Sequence, residues 1–275
     1  MGIGSGCVKT TYNVVPPLPV VQTATAEELT ERLRQIGSAD SLKATVLMQL
    51  SIVSDDQTKR EEYRDVRGFI LAQRPSFTRV QAQFLTTRAF DMASDGERFR
   101  VHLVWKGQFL EGLNALNERS EKRAENIRPQ HVMEPLLLAP LEDDEIVVLD
   151  NVLEGRRPFQ VLLMLKRGPD GMRISRKAGF ERENLELRRL DIYDDEGDIA
   201  TRARYSSWDE ENGIPFAREV SISRPLDGYD LKLTVETPGV NAELPENAFV
   251  LEPPKGMEVE QVGEPEGSAQ AQVAK

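Results

Sequence analysis

Cysteine is all but missing: the 275 residues hold one, Cys7. A lone Cys excludes an intrachain disulfide and a cysteine zinc cluster. Histidine is nearly as scarce, with His102 and His131 alone, which narrows the scope for metal and acid–base chemistry. Aromatic residues make up 6% of the chain, thin for the two aromatic girdles of an outer-membrane barrel. No run of about 18 apolar residues occurs, so no transmembrane helix is expected. Positive charge is in deficit. The 35 Lys and Arg against 46 Asp and Glu leave −11, and such a surface repels phosphate backbones, so nucleic acid is not an expected partner.

Catalytic signatures are absent as well. There is no G-x-x-x-x-G-K-[ST], no G-x-G-x-x-G between a strand and a helix, and no G-x-S-x-G elbow. The acidic runs Glu142–Glu145, Asp194–Asp198 and Asp209–Glu211 miss the EF-hand offsets and coincide with turn signals. His102 falls at a polar strand position and His131 in a short helix. The chain is therefore expected to have no catalytic residues, no metal and no cofactor, and not to be an enzyme.

What is present is alternation. Leu42, Ala44, Val46, Met48, Leu50 and Ile52 are apolar at every second position, the pattern of a strand with one wet face. Similar runs cover Val80–Phe84, Phe99–Trp105, Ile199–Tyr205, Phe216–Ile222 and Leu231–Val235. Strand-like segments lie near Tyr63–Ala72, Ile146–Leu153, Phe159–Leu165 and Leu185–Tyr193. In the last of these the apolar phase switches, which predicts a bulge. Asp95-Gly96, Gly168–Gly171, Asp195–Gly197, Asn212-Gly213 and Asp227-Gly228 are hairpin signals. Helices are few. Thr25 and Glu28 form a capping box ahead of a Leu29, Leu33, Ile36 stripe, with Gly37 as the stop. Arg128-Pro129 opens a second helix that Pro135 kinks or shortens.

About ten strands and two short helices predict a mostly β fold: a large curved antiparallel sheet, or half-open barrel, with a short helical lid. Two helices do not fill so wide a concave face. The remainder is either side-chain core or a cavity for an apolar ligand. Its candidate residues are Val46, Met48, Leu50, Phe84, Phe99, Val101, Leu103 and Trp105. The domain spans 24–259. Residues 1–23, with Gly2, Gly4 and Gly6 before the Cys and Pro16, Pro17 and Pro19 after it, are expected to form a flexible tether. Residues 260–275 are expected to form a polar, disordered tail.

The order of tether, capped helix and long meander, closed by Asn241–Val259, resembles the LolA/LolB-like superfamily of bacterial lipoprotein carriers and receptors. The closing element is Phe249, Val250, Pro253 or Pro254, and Gly256. The resemblance implies a half-open barrel with a helical lid. Its cavity would take up acyl chains or lipoproteins in transport or sorting to the outer membrane, by a monomer. The same fold also serves envelope sensing or protein interaction without transport.

Gly4-Ser5-Gly6-Cys7 is similar to a lipobox, the site at which a bacterial lipoprotein is lipidated. It departs from that pattern at Gly4, where Leu is usual, and in having only six residues upstream. A start codon placed late in the gene would account for the short leader of a truncated signal peptide. Lipidation of Cys7 would anchor the chain to the outer membrane, facing the periplasm. The alternative is a free thiol in a flexible arm.

Overall fold

A computed structural model describes residues 21–84, 87–115, 119–120, 123–142, 144–169 and 171–262. The side chains of Phe84, Thr87, Arg88 and Ala124 are excepted. Cys7 and residues 263–275 lie outside this set. The first half of the sheet comprises β1 Ser41–Val53, β2 Arg60–Gln73, β3 Phe77–Phe84, β4 Thr87–Asp95, β5 Arg98–Leu103 and β6 Gln108–Leu113. The second comprises β7 Ile146–Glu154, β8 Arg157–Gly168, β9 Gly171–Glu181, β10 Glu186–Tyr193, β11 Ile199–Glu211, β12 Ile214–Arg224, β13 Tyr229–Thr237 and β14 Val259–Gln261. The helices are α1, Ala26–Ile36, and α2, Gln130–Leu136.

All fourteen strands belong to one sheet, in the order β14-β6-β5-β4-β3-β2-β1-β13-β12-β11-β10-β9-β8-β7. Every pairing is antiparallel except β14 with β6. β1 and β13 pair in the middle and join two meanders. The sheet curves without closing, and its ends, β14 and β7, do not meet. Each of the five hairpin signals sits between two strands, and Gly96, Gly171, Gly197, Gly213 and Gly228 all adopt positive φ. The phase switch in β10 is a register shift between Leu187 and Arg189.

Four strands carry no alternation that sequence periodicity detects: β4, β6, β9 and β14. β4 shows why. From Asp91 to Ser94 every residue is buried. Met92 faces the concave core, while Ala93 packs on the other side with Phe109 and Leu251. The closing segment lies across the convex face there, so both faces of β4 are dry and the period of two disappears. β14 takes in Glu260 and Gln261, the first residues of the stretch whose composition reads as tail.

Helix α1 begins at Thr25 with both halves of the capping box formed. Its stripe residues Leu29 and Leu33 are buried, and the helix packs on β12, β7 and β8. The chain is pinned just before it by Gln160, a buried side chain that accepts from Ala24 N–H at 2.8 Å and donates to Ala24 C=O at 2.9 Å. Helix α2 starts after Pro129 and is held to seven residues, with Pro135 inside it. It packs on β12 and β3, and Tyr205 Oη donates to Pro135 C=O at 3.0 Å. The lid thus centres on β12. Neither helix is long and apolar enough to cross a membrane.

Candidate functional site

Away from the lid, the concave face holds a cavity of about 530 Å³. Its walls come from alternate residues of neighbouring strands. β1 supplies Met48, Leu50 and Ile52, β4 supplies Ala89, Phe90 and Met92, and β5 supplies Val101 and Leu103. Tyr63 and Val66 of β2, Val80 of β3 and Leu231 of β13 extend the same surface. The period-two pattern is what converts a strand into a continuous apolar wall, because residues i and i+2 share a face.

Gly68 makes room for this wall. A Cβ there would fall 1.7 Å from Met48 Cε and 2.7 Å from the backbone oxygen of Gln81. Met48 therefore lies across β2 only because position 68 has no side chain. Gly68→Ala is expected to destabilise the fold by about 1–3 kcal/mol through overpacking. Equilibrium denaturation measures this, and a loss of ligand capacity would accompany it as Met48 is pushed toward the cavity.

Of the eight residues expected at the cavity, Met48, Leu50, Val101, Leu103 and Trp105 line it. Val46 and Phe99 do not. Both are fully buried in side-chain core, and the Phe99 ring carries the Arg128 guanidinium at 5.2 Å. The side chain of Phe84 lies outside the described residues. Trp105 reaches the cavity by a different route from the one alternation implies. The strand ends at Leu103, and Val104–Lys106 form a 3₁₀ turn closed by Gly107 at φ 63°. Trp105 is consequently 49% exposed at the rim, edge-on to Phe90 with centroids 6.3 Å apart.

Several lining residues have no local signal. Phe90 and Met92 sit on the strand whose alternation is erased. Ile127 comes from a loop between a 3₁₀ turn and α2. Tyr229 follows the Asp227-Gly228 turn and serves two environments: its ring lines the cavity and its hydroxyl meets a polar cluster.

That cluster is built around His131. Arg224 donates from Nε to Asp227 Oδ2 at 2.7 Å and from Nη1 to Thr201 Oγ1 at 2.6 Å. Its Nη2 lies 3.0 Å from His131 Nε2. Arginine only donates, so Nε2 accepts and the imidazole proton resides on Nδ1. Nδ1 then donates to the Tyr229 hydroxyl at 2.9 Å. Burial holds the His131 pKa well below its ordinary value, and the charges of Arg224, Arg128 and Arg119 add to this. The Asp227 carboxylate, 3.9 Å from Nδ1, does not offset them.

The sign of the pH effect follows. In the unfolded chain His131 takes up a proton below about pH 6.5, whereas the folded form stays neutral. The stability due to this difference is complete above that pH. It is lost as pH falls toward the folded pKa, by up to about 1.4 kcal/mol per pH unit. His131→Gln should flatten the fall in stability below pH 6.5, as measured by denaturation across a pH series.

His102 lies on β5, opposite Phe109, its ring centroid 6.0 Å from that ring. It takes no part in either cluster. Among the described residues no three His, Cys, Asp or Glu side chains converge as metal ligands.

Fold and cavity together define a LolA-like half-barrel: one curved, unclosed antiparallel sheet, two short helices over part of its concave face, and an apolar pocket beside them. No protein-family model matches the sequence, and no curated protein does. Solved structures are similar in fold. A DUF1329 family protein from Desulfovibrio piger is 11% identical, with 82% of this chain and 95% of that one aligned at a TM-score of 0.51. A LolA superfamily protein from Nitrosomonas europaea is 14% identical, over 83% and 99% of the two chains, at 0.49. A domain assigned to outer membrane lipoprotein sorting, from Vibrio parahaemolyticus, is 11% identical over 82% and 97%, also at 0.49. At these identities the likeness is one of fold.

Proposed function

We propose that this chain is a non-enzymatic carrier or receptor of the bacterial cell envelope whose half-barrel takes up acyl chains, either of lipids or of lipoproteins in transit to the outer membrane. The cavity carries the proposal. At about 530 Å³ it lies within the range of small-ligand sites, about 300–1,000 Å³. Its walls are aliphatic and aromatic, and it lies open at a rim marked by Trp105. Hydrocarbon is the ligand chemistry such a surface rewards, at roughly 25 cal/mol per Å² removed from water.

In this proposal Cys7 is lipidated and residues 1–23 connect that anchor to the half-barrel, which works as a monomer facing the periplasm. More than one acyl chain on Cys7 would hold it stably, at about 0.8 kcal/mol per buried CH₂.

Native mass spectrometry of protein purified from membranes, joined to titration of the full chain with palmitate and with a triacylated lipopeptide, tests the function. The chain has two Trp, so Trp208→Phe leaves Trp105 as sole reporter at the rim. Bound lipid masses and a blue shift of Trp105 emission are expected. No lipid mass together with no emission change at saturating palmitate or lipopeptide would sink the proposal.

A further inference from the structure

The two edges of the sheet are built differently. β14 is three residues long, a blunt edge that offers little to pair with. β7 runs nine residues and pairs only with β8, in a register unbroken from Ile146↔Leu165 to Glu154↔Arg157. It has no bulge, and its sequence contains no Pro, Lys or Arg, residues that commonly guard an edge. Ile146, Val148 and Leu153 are 54%, 43% and 58% exposed.

Pro158 reveals which backbone groups of β7 are free. It stands opposite Leu153, has no N–H, and its C=O accepts from Arg182 N–H at 3.0 Å. Leu153 therefore does not bond to β8. Bonding alternates residue by residue along an antiparallel ladder. The N–H and C=O groups of Val147, Leu149, Asn151 and Leu153 thus point away from β8, with no backbone partner among the described residues.

Charge selects what can pair there. Of the two carboxylates on β7, Glu154 accepts from Arg189 Nη1. Asp150 is exposed, and no cation among the described residues bonds it. Val148 and Val152 flank it on the same face, and Val161 stands opposite on β8. A second copy pairing through this edge would bring no countercharge, because β7 carries no Lys or Arg.

We infer that β7 is a site of strand addition, taking an extended segment of another protein with Lys or Arg facing Asp150 and apolar residues two positions to either side. The free backbone groups supply the ladder, and the side chains set the choice of segment. In an antiparallel pairing the residue opposite Asp150 stands in a non-hydrogen-bonded pair, where side chains approach most closely. Its apolar neighbours would then cover Val148 and Val152. The inference is independent of the cavity and its ligand.

Binding of two synthetic nine-residue peptides to the full chain tests this. Both alternate Val with Thr, and one carries Lys at its centre where the other carries Glu. With the Lys peptide at saturation, amides of Val147, Leu149, Asn151 and Leu153 are expected to exchange about tenfold slower or more. The other amides of β7, already bonded to β8, should hold their rates. Affinity for the Lys peptide should exceed that for the Glu peptide by about fivefold, and Asp150→Lys should reverse the order. No binding of the Lys peptide, or unchanged exchange at the four amides, would overturn the inference. So would equal affinity for the two peptides, or an order that Asp150→Lys leaves as it was. A dimeric mass for the chain alone, with the four amides already slow, would also overturn it and assign the edge to a second copy.

Discussion

Asp91→Ala is expected to lower the free energy of unfolding by about 3–5 kcal/mol, the cost of breaking a buried ion pair from one side. Asp91 is fully buried on β4. It accepts from Arg79 Nε at 2.9 Å and Nη2 at 2.8 Å, and from Gln81 Nε2 at 2.9 Å. The Arg79 side chain is only 15% exposed, so removal of the carboxylate leaves its guanidinium charged and enclosed. The damage would spread. Arg79 Nη1 also donates to the carbonyls of Ala248 and Val250, which hold the closing segment against the convex face. Urea denaturation should show the lost stability, and hydrogen exchange should show earlier opening of residues 245–257. Asp91→Asn keeps the shape and part of the hydrogen bonding, and should cost less.

Ala89→Trp is expected to weaken palmitate binding at least tenfold. Ala89 lies in the cavity wall on β4, so an indole there would take up cavity volume. Because it fills open space, the midpoint of thermal unfolding should hold or rise while affinity falls. Titration of palmitate against both proteins, with circular dichroism to confirm an unchanged sheet, gives the comparison. Unaltered affinity in a folded Ala89→Trp protein would place the ligand elsewhere. A polar substitution at the exposed edge, Leu153→Ser, should leave palmitate affinity unchanged.

Where one face of a strand is wet, the sequence announces the strand. β1 shows this, with Leu42, Ala44, Val46 and Met48 buried and Lys43 and Gln49 exposed. The same reasoning locates α1, because Thr25 and Glu28 bond each other's backbone within four residues. Met48, Leu50, Val101 and Leu103 reach the cavity wall as their alternation implies. Gly68 has no such local signal, since its importance depends on Met48 arriving from the neighbouring strand. Trp105 lines the cavity by a route that alternation does not carry, as a 3₁₀ turn sets its orientation.

Local chemistry therefore determined the mostly β class, the capped helix, the turns and the apolar character of the inner face. These depend on residues within a few positions of one another, where periodicity, capping and positive φ act. Tertiary structure decided what no local pattern carries. It paired β1 with β13, laid the closing segment over β4 so that Asp91 became a buried anchor, and set the lid over β12. The physical reason is that curvature and cover are properties of the whole sheet. Whether an apolar face becomes core or cavity depends on which distant element packs against it, and here the two short helices fill one part of the concave face and leave the other open.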